Sequence, residues 1–459
     1  MSTIISIEQE KLKFHKSLKI VLFPTESQKE LLNKTFGCCR QIYNNRLSEK
    51  QDFYIDNILT IPKEERKSKS KDIWKQFKPT TEKEMTLKFP YMKEVSSSAL
   101  QQARMNCEQA FSNFYKSLSE KRKGQKVGYP KFKSKKDSRQ SYREPQPKLE
   151  HFDYSHRTLK IPKVGKVYFK SHSLPKWFDL ISDICSLTIE KSSANRYYAS
   201  ILFELKNDYK VKIESRKEAV GLDFDCDDCY IDSEGKSALK DYGFVKQKQE
   251  NHKRLKKLSK RFNRKLKIQD TDSPRKIDSK NRAKAKIKLA RFEEKIANMR
   301  KDWIEKESLR LVKNYDKIVV EDLNLKGMTQ GSKNAKNYVD ISWSTFVSKL
   351  QDKGKTFGCE IVKADRFFAS SQTCSNCGFK YPEVQKKHLQ NWICPNCGTS
   401  HQRDVNAAIN LKNYIPIEHR KFTTMDFVEG LVSQALAVSG AEDEVVTWKA
   451  ITKKNPIGL

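Results

Sequence analysis

The sequence predicts a multidomain protein that combines α+β and α/β architecture, and three observations lead to this prediction. Its 459 residues correspond to about three domains. At 37% hydrophobic residues, the chain has enough apolar side chains to bury real cores, which argues against disorder throughout. Segments in which every second residue is apolar are interleaved with segments of helical periodicity, so the chain should contain both sheets and helices.

The first half of the chain predicts a β module with helices inserted in it. Strand patterns occupy three segments, 11–22, 166–170 and 187–205, and the last is a hairpin that turns near 193–195. Helical patterns occupy two segments, 28–47 and 96–118, and Ser96 is a suitable N-cap for the second. We therefore expect one β module that is interrupted by helices over about 25–139.

The charge of the chain predicts a polyanionic partner. Lys and Arg number 91 against 57 Asp and Glu, which gives a formal net charge of +34. Such an excess repels itself unless a partner neutralises it, and nucleic acid is the usual partner. The alternative is a well-solvated basic surface.

The compartment is predicted from what the sequence lacks. It begins with no signal peptide and contains no apolar run of about 18 residues, which argues against secretion and membrane binding. Seven cysteines outside the ribbon described below form no disulfide framework, which indicates a reducing, cytoplasmic compartment.

Two basic stretches predict nucleic-acid contacts. In residues 121–143, Lys and Arg are interleaved with Tyr and Phe, a mixture that binds phosphates while stacking on bases; the alternative is a charged linker. Residues 253–267 carry nine Lys or Arg in fifteen positions. They lie in a region, 246–313, that is predicted to form two antiparallel basic helices, which would suit the wall of a nucleic-acid channel. The alternative is an exposed charged hairpin. The candidate contacts are Lys131, Lys133, Arg139, Tyr142, Arg143, Lys253, Arg254, Lys257 and Arg261.

Acidic residues at strand ends predict a metal-dependent site in the second half of the chain. From Ala219 an apolar strand carries Asp223, and residues 317–323 read as a buried strand that ends in Glu321 and Asp322. Burying a carboxylate at a strand end is costly unless it is paired or holds a metal. A helix from Ser342 and a strand at 359–362 complete an α/β layer.

Asp404 is the third candidate carboxylate. It precedes an alanine-rich helix, where an aspartate is more often an N-cap than a catalyst. With Asp223 and an acid of the 321–322 pair, it would place three carboxylates on separate elements of one domain. Three carboxylates at one sheet edge are what two Mg²⁺ ions require for in-line phosphodiester cleavage. Spacing alone does not prove that they converge.

Four cysteines predict a zinc ribbon near the end of the chain. Two C-x-x-C pairs are separated by sixteen residues, and each pair is followed by a glycine, Gly378 or Gly398, suited to a turn of positive φ. Zinc takes four thiolates in a tetrahedron, so the expected ligands are Cys374, Cys377, Cys394 and Cys397. The alternative is four ordinary buried cysteines. Cys226 and Cys229 also form a C-x-x-C, but no second pair lies nearby, which argues against a metal there.

The order of these motifs resembles the TnpB family of transposon-encoded RNA-guided nucleases and, more distantly, the miniature type V CRISPR effectors. The resemblance spans roughly residues 11–412. It is carried by the segments IVLFPTESQKELLNKTFGCCRQIYN, EVSSSALQQA, VGYPKFKSKKDSRQSYR, AVGLDFDCDDCYIDSEG, VVEDLNLKGM, SSQTCSNCG and CPNCGTSHQRDVNAAINL.

The resemblance implies a domain plan and a function. It implies a β-barrel-like wedge module (1–24 and 140–215), an inserted helical recognition lobe (25–139), a RuvC (RNase H-like) nuclease domain with inserted helices (216–365 and 404–413) and a zinc ribbon (366–403). The C-terminal tail (414–459) matches nothing in the family, and disorder is expected there. The implied activity is Mg²⁺-dependent endonuclease cleavage of target DNA, double- or single-stranded, directed by a guide RNA.

The resemblance also assigns residues. It makes Asp223, Glu321 and Asp404 the catalytic, magnesium-binding triad, and so favours Glu321 over Asp322 and the triad over the N-cap. It makes Ser97 and Gln101, one helical turn apart, the candidates for reading a short motif beside the target. The alternative is that Ser97 and Gln101 lie on an ordinary solvent-exposed face of the helix and read nothing.

The chain departs from the family at two places. The family commonly has a glycine two residues after the first acid, where this chain has Asp225, and the tail includes an acidic segment of unknown role. Three alternatives stay open: a compact effector that uses a CRISPR RNA, a nuclease-inactive RNA-guided repressor, and a zinc-ribbon RNA-binding protein without catalysis. The sequence does not give the oligomeric state.

Overall fold

The computed structural model describes residues 14–415, with internal gaps. The gaps are 120, 123–125, 138, 146, 171–173, 226–227, 239–249, 252, 261–279, 324–326 and 329–341. The chain divides into two compact units: Met1–Val211 with Lys246–Asp302, and Lys212–Val245 with Trp303–Leu459. The expected C-terminal tail lies outside the described residues from 416 onward. No helix among the described residues is both long and apolar enough to cross a membrane.

The first unit contains a seven-stranded antiparallel sheet. Its strands are β1 (Phe14–Phe23), β2 (Arg139–Glu144), β3 (Phe152–Asp153), β4 (Thr158–Ile161), β5 (Gly165–Lys170), β6 (Ile181–Ser192) and β7 (Tyr197–Leu205). They lie in the order β2-β6-β7-β1-β5-β4-β3. The predicted strands at 11–22 and 166–170 and the hairpin at 187–205 are confirmed, and its turn contains Asn195 at φ 58°. Strands β3 and β4 were not predicted because they have only two and four residues, and β2 was not predicted because its basic residues suggested a surface segment.

Among the described residues, four α-helices and a 3₁₀-helix (Pro90–Glu94) lie between β1 and β2 in the chain. The α-helices are α1 (Glu26–Asn57), α2 (Arg66–Lys75), α3 (Glu82–Lys88) and α4 (Ser97–Leu118). Thr25 and Gln28 form a capping box that starts α1, and the Ser96 side chain caps α4 as predicted. Buried residues of α1 and α4, such as Leu32 and Leu100, belong to the same apolar core as the inner face of the sheet. This shared burial explains why α1 and α4 hold against the sheet.

The second unit is built on a four-stranded mixed sheet in the order β11-β10-β8-β9. Its strands are β8 (Lys217–Asp225), β9 (Cys229–Asp232), β10 (Tyr315–Glu321) and β11 (Glu360–Ala364). Strands β8, β10 and β11 are parallel, and β9 returns antiparallel to β8. The chain also forms α5 (Lys280–Asn314), α6 (Trp343–Phe357), α7 (Glu383–Lys386), β12 (Asn391–Ile393), β13 (Ser400–Gln402) and α8 (Arg403–Lys412). Residues of α5 up to Asp302 belong to the first unit.

Both faces of the four-stranded sheet are covered, as expected for parallel strands. Ile318 and Val320 of β10 pack with Phe346 of α6, whereas the intervening Val319 packs with Leu411 of α8 on the opposite side. The predicted strand at 317–323 and the helix after Ser342 are thereby confirmed. The strand predicted at 359–362 is found at Glu360–Ala364.

Candidate active site and four-cysteine ribbon

The three predicted carboxylates come together in the second unit. Asp223 lies near the end of β8 and Glu321 ends β10, and because these strands are parallel neighbours their carboxyl ends meet at one edge of the sheet. The carboxyl groups of Asp223 and Glu321 share a hydrogen bond. Asp404, in the first turn of α8, is close enough for its charge to act on Asp223.

The electrostatics of this cluster favour a bound cation. Burial, followed by the negative charges of Glu321 and Asp404, raises the pKa of Asp223 well above its ordinary value. Burial likewise raises the pKa of Glu321, although a 2.9 Å hydrogen bond from Ser370 Oγ to its Oε1 works in the opposite direction. All three residues keep some exposed surface, and crowded carboxylates of like charge are favoured when one is protonated or when a cation lies between them. Carboxylate oxygens are the donors that Mg²⁺ takes, but the oxygens of these three residues do not all lie within 4.8 Å of one another, as the four cysteine sulfurs described below do.

A close approach between α8 and β8 brings Asp404 to the cluster. A Cβ added to Gly221 would lie 1.9 Å from the carbonyl oxygen of Ala408 and 2.4 Å from the backbone nitrogen of Lys412. Only glycine therefore lets the helix backbone rest directly on the strand, two residues before Asp223. The sequence interpretation did not use Gly221, although an isolated glycine inside a strand often marks a close backbone approach.

Asp404 is not the N-cap of α8, so that alternative is wrong. The cap is Gln402, whose side-chain oxygen accepts a 2.7 Å hydrogen bond from the Val405 backbone nitrogen. The Asp404 carboxylate instead accepts a hydrogen bond from Arg403 Nε at 2.9 Å and is 15% exposed. The longer glutamine side chain takes the capping position two residues earlier.

The neighbouring acids take other partners. Asp322 forms an ion pair with Arg366 at 3.0 Å, and its side chain is 39% exposed, whereas Glu321 points to the cluster, as alternation along a strand requires. Asp225, which stands where the family commonly has glycine, accepts a 2.6 Å hydrogen bond from the Asp228 backbone nitrogen. Asp225 therefore stabilises the turn between β8 and β9.

The four predicted cysteines form one cluster in which the sulfur atoms all lie within 4.8 Å of one another. Two of the sulfur pairs, Cys374 with Cys397 and Cys377 with Cys394, are 3.7 Å apart. A tetrahedral zinc with bonds of about 2.3 Å requires sulfur atoms about 3.8 Å apart, so the cluster fits zinc.

The backbone and the surroundings of the cluster agree with this fit. Gly378 and Gly398 adopt φ of 77° and 72°, as the turn after each pair was predicted to need. Hydrogen bonds from Thr399 lower the pKa of Cys397 to about 5, which favours the thiolate that a metal binds. His401 Nε2 lies 3.0 Å from Cys374 Sγ, and its ring packs against Trp392.

Helix α8 connects the ribbon to the carboxylate cluster. Asn406 accepts a 2.9 Å hydrogen bond from the Ser375 backbone nitrogen and donates one of 2.7 Å to the Thr373 carbonyl. Asn410 donates a 2.7 Å hydrogen bond to the carbonyl oxygen of Ser370, and the hydroxyl group of Ser370 in turn donates to Glu321. The sequence interpretation missed Ser370 and both asparagines, because their partners are distant along the chain.

Most of the predicted nucleic-acid contacts described by the structure are exposed, and one is not. The exposed candidates are Ser97, Gln101, Lys131, Lys133, Arg139, Arg143, Lys253, Arg254 and Lys257. Tyr142 is only 4% exposed and packs edge-on against Phe36, so it is wrong as a base-stacking residue. It lies on the inward face of β2, where an aromatic ring belongs to the core. Arg261 lies outside the described residues.

A polar surface groove in the first unit was also missed. It runs along α1, has a volume of about 670 Å³, and is lined by Lys34, Arg40, Gln41 and Asn44 together with the aromatic rings of Tyr91 and Phe132. Tyr91 and Phe132 are 43% and 54% exposed. The groove thus combines basic, amide and aromatic groups on one surface.

In this chain a mixed sheet carries two carboxylates, a helix packed on the sheet carries a third, and a four-cysteine ribbon lies beside them. Three family models match the chain. The model of a Cas12f1-like TNB domain matches residues 343–411. The model described as a probable transposase of the OrfB type matches 200–331, and its associated helix-turn-helix domain matches 14–57.

Named relatives extend over most of the chain. A Streptomyces pristinaespiralis protein named "Putative RNA-guided DNA endonuclease" is 29% identical over 398 residues, which cover 86% of this chain and 88% of the relative. The similarly named InsQ of Escherichia coli K12 is 23% identical over 86% of this chain and 91% of its own length. The TnpB-like protein L770 of Acanthamoeba polyphaga mimivirus is 26% identical over 55% of this chain and 49% of the relative. These matches confirm the resemblance to the TnpB family.

A solved structure of a Cas12f1–sgRNA–target DNA complex aligns with 87% of this chain and 99% of its own, at 13% identity and a TM-score of 0.45. A likeness at this level is too low to carry a conclusion about this chain.

Proposed function

We propose that this chain is an RNA-guided DNA endonuclease that hydrolyses DNA at the cluster of Asp223, Glu321 and Asp404. The observation that supports the proposal is that Asp223 and Glu321 lie at one edge of the sheet, and that Asp404 on α8 is close enough for its charge to raise the pKa of Asp223. The names of the relatives with matching length support the substrate class. A net charge of +34 supports RNA and DNA as partners.

Asp223, Glu321 and Asp404 would hold Mg²⁺ through their carboxylate oxygens. When bound, paired ions activate a water and stabilise the leaving oxygen of a phosphodiester. Ser370 orients Glu321 through its hydroxyl group, and Arg403 orients Asp404 through its guanidinium. The residues described here therefore bind and orient, and Arg403 supplies one positive charge beside Asp404.

The domain plan belongs to the same proposal. The β8–β11 sheet with α8 would be the RuvC-like nuclease domain (216–365 and 404–413), and residues 366–403 the zinc ribbon. The seven-stranded sheet would be the wedge module (1–24 and 140–215), interrupted by a helical recognition lobe (25–139). The lobe would read the target-adjacent motif through Ser97 and Gln101, and the basic stretches would hold the guide RNA.

Two alternatives concern the guide and the chemistry. The guide RNA would derive from the transposon or, in a CRISPR-like effector, from a CRISPR array, and sequencing the RNA that copurifies with the chain distinguishes them. A nuclease-inactive repressor is disfavoured because all three carboxylates are present and clustered.

The test is one set of variants with two measurements. Asp223→Ala, Glu321→Ala and Asp404→Ala should each reduce Mg²⁺-dependent cleavage by orders of magnitude, because carboxylates that share ions act as a unit. Guide-dependent DNA binding should persist, because base pairing supplies recognition. Asp322→Ala is the matched control: it removes an adjacent acid that pairs with Arg366 and should cut at the parent rate. Parent-level cleavage by any triad variant would place the active site elsewhere.

A further inference from the structure

We infer that His15, Cys185 and Glu204 form a binding site for a borderline divalent metal ion of the Zn²⁺ class in the first unit. Among the described residues, two groups of three or more His, Cys, Asp or Glu side chains offer ligand atoms that all lie within 4.8 Å of one another. One is the four-cysteine cluster, and the other is this set. None of its members belongs to the ribbon or to the carboxylate cluster, so the inference goes beyond the proposed function and holds whether or not the chain cleaves DNA.

Two of the ligands face each other across a pair of neighbouring strands. His15 of β1 and Glu204 of β7 are direct cross-strand partners. Residues opposite each other in an antiparallel pair have Cβ atoms about 5 Å apart, so both side chains reach a common ion without a change in the backbone. Both point away from the core, because Phe203 and Leu205 on either side of Glu204 are buried on the other face of the sheet.

A register shift in β6 brings the third ligand to the same place. Between Ile184 and Ser186, β6 contains one residue more than β7 does, and that residue is Cys185. An extra residue of this kind bends the strand locally and re-aims a side chain. Cys185 Sγ lies 3.9 Å from Glu204 Oε2, a contact that fits a weak hydrogen bond from the thiol to the carboxylate. Three neighbouring strands, in the order β6-β7-β1, therefore contribute one ligand each.

The donor types select a borderline ion. Imidazole nitrogen, thiolate sulfur and carboxylate oxygen are the three kinds of ligand that Zn²⁺ accepts, whereas Mg²⁺ and Ca²⁺ take oxygen. In a tetrahedral zinc site the sulfur and oxygen atoms lie about 3.5 Å apart. The observed separation of 3.9 Å between Cys185 Sγ and Glu204 Oε2 is close to this distance, and rotation of the two side chains supplies the remaining approach.

A second carboxylate lies beside the ligand set. Asp183 of β6 is the cross-strand partner of Glu204 on the side away from His15. Its Oδ1 accepts a 2.7 Å hydrogen bond from the Ile184 backbone nitrogen, so it adds negative charge without being one of the three ligands. The formal net charge of +34 disfavours cations on the chain as a whole, and these two acids oppose that effect locally.

Binding requires that one proton leave, and no redox partner. The Cys185 thiol loses its proton to solvent as the sulfur–metal bond forms, while His15 and Glu204 bind through lone pairs. Three protein ligands leave the fourth tetrahedral position to water. The bound ion connects β6, β7 and β1 near the pair of Phe14 and Leu205. Because it binds the folded sheet and not the unfolded chain, the ion stabilises the first unit by mass action.

The experiment titrates Co²⁺, a spectroscopic substitute for Zn²⁺, into the full chain freed of copurifying RNA and supplied with one equivalent of Zn²⁺. A closed site of four thiolates binds zinc more tightly than an open three-ligand site, so this equivalent fills the ribbon first. Co²⁺ should then produce a thiolate-to-metal charge-transfer band that saturates at one ion per chain. Cys185→Ser should abolish the band. His15→Ala and Glu204→Gln should each weaken binding at least about tenfold, since even the loss of a residue that only supports a ligand costs that much.

His156→Ala is the matched control, because it removes an exposed histidine of the same unit that pairs with Asp153 at 2.7 Å. Its titration should equal that of the parent. Zn²⁺ added beyond the first equivalent should raise the unfolding temperature of the parent and leave that of Cys185→Ser unchanged. The inference is overturned if Co²⁺ gives the parent no thiolate band, or if the band keeps its parent amplitude in Cys185→Ser. The parent titration gives this answer even if a variant does not fold.

Discussion

Ser370 donates a 2.9 Å hydrogen bond to Glu321, and it is 5% exposed. It comes from the loop before the four-cysteine ribbon, so a residue outside the sheet fixes the carboxylate that ends β10. The same hydrogen bond opposes the rise in the pKa of Glu321 that burial causes. Ser370 is thus a positioning residue for the candidate active site.

We predict that Ser370→Ala slows cleavage by about tenfold and moves its pH dependence. Without the hydroxyl group the pKa of Glu321 rises further, so less carboxylate is ionised at a given pH. The rising limb of the cleavage profile should therefore shift to higher pH at limiting Mg²⁺. The check is a pH–rate profile of parent and variant. A lower rate with an unmoved profile would mean that the hydroxyl only packs.

Asp223→Asn should stabilise the metal-free protein while abolishing cleavage. Because the pKa of Asp223 is raised in the folded state, folding favours its protonated form, and stability falls as pH rises from the ordinary value through the raised one. A neutral amide avoids that cost. We expect the unfolding temperature near pH 7 to rise by about 3 °C, measured calorimetrically with and without Mg²⁺. Asp322→Asn, which changes an acid paired with Arg366, should give no such rise.

Gly221→Ala should have two effects: it should destabilise the second unit by about 3 kcal/mol, and it should lower the rate of cleavage. The new methyl group would meet the backbone of α8 at Ala408, which cannot move aside as a flexible side chain could. Gly128→Ala is the matched control, since nothing lies within 4 Å of its added Cβ. Chemical denaturation of both variants provides the comparison, and equal midpoints would show that α8 does not depend on the close approach.

The ribbon should bind one zinc ion per chain through Cys374, Cys377, Cys394 and Cys397. Purified protein should contain stoichiometric zinc by mass spectrometry, and Cys394→Ser should lose it. Protease cleavage within residues 366–403 should then increase, because the short ribbon has little core of its own. Cys359→Ser, outside the ribbon, should retain zinc. Absence of zinc from protein prepared without chelators would contradict the assignment.

Gln101→Ala should relax or abolish preference for the target-adjacent motif while guide binding is unchanged. Gln101 and Ser97 are exposed one turn apart on α4, and a glutamine side chain can pair bidentately with adenine in the major groove. The measurement is cleavage of a library of targets that differ only beside the guide-matched segment. An unaltered motif profile would favour the plain surface-helix interpretation.

Local patterns predicted much of the fold, whereas the choice of Glu321 over Asp322 and of Asp404 as a site residue came from the resemblance to the family. The alternation of apolar residues predicted β1, β5 and the β6–β7 hairpin. The apolar run before Glu321 and Asp322 predicted that these two acids lie at the end of a strand. Tyr142 was misjudged because its basic neighbours suggested a surface segment. Alternation within β2 would have placed it inward, since Arg139, Ser141 and Arg143 all face outward.

Other residues of the site could not be predicted, because they act across long distances in the chain. Ser370 and Glu321 are 49 positions apart, and Asn410 lies 40 positions from Ser370. No periodicity or spacing identifies such partners before the packing of α8 is known. The capping role of Gln402 was missed for a different reason, since an aspartate two residues later is the commoner signal.

The ten residues of α8 carry Asp404 at one end and clamp the ribbon through Asn406 and Asn410 in the middle. The candidate Mg²⁺ site and the candidate zinc site are therefore connected through one helix. Coupling between two binding equilibria is reciprocal. If bound zinc raises the affinity for Mg²⁺ by some factor, bound Mg²⁺ must raise the affinity for zinc by the same factor. The chain would then release its zinc to a chelator more slowly in magnesium than without it, even though no atom belongs to both sites.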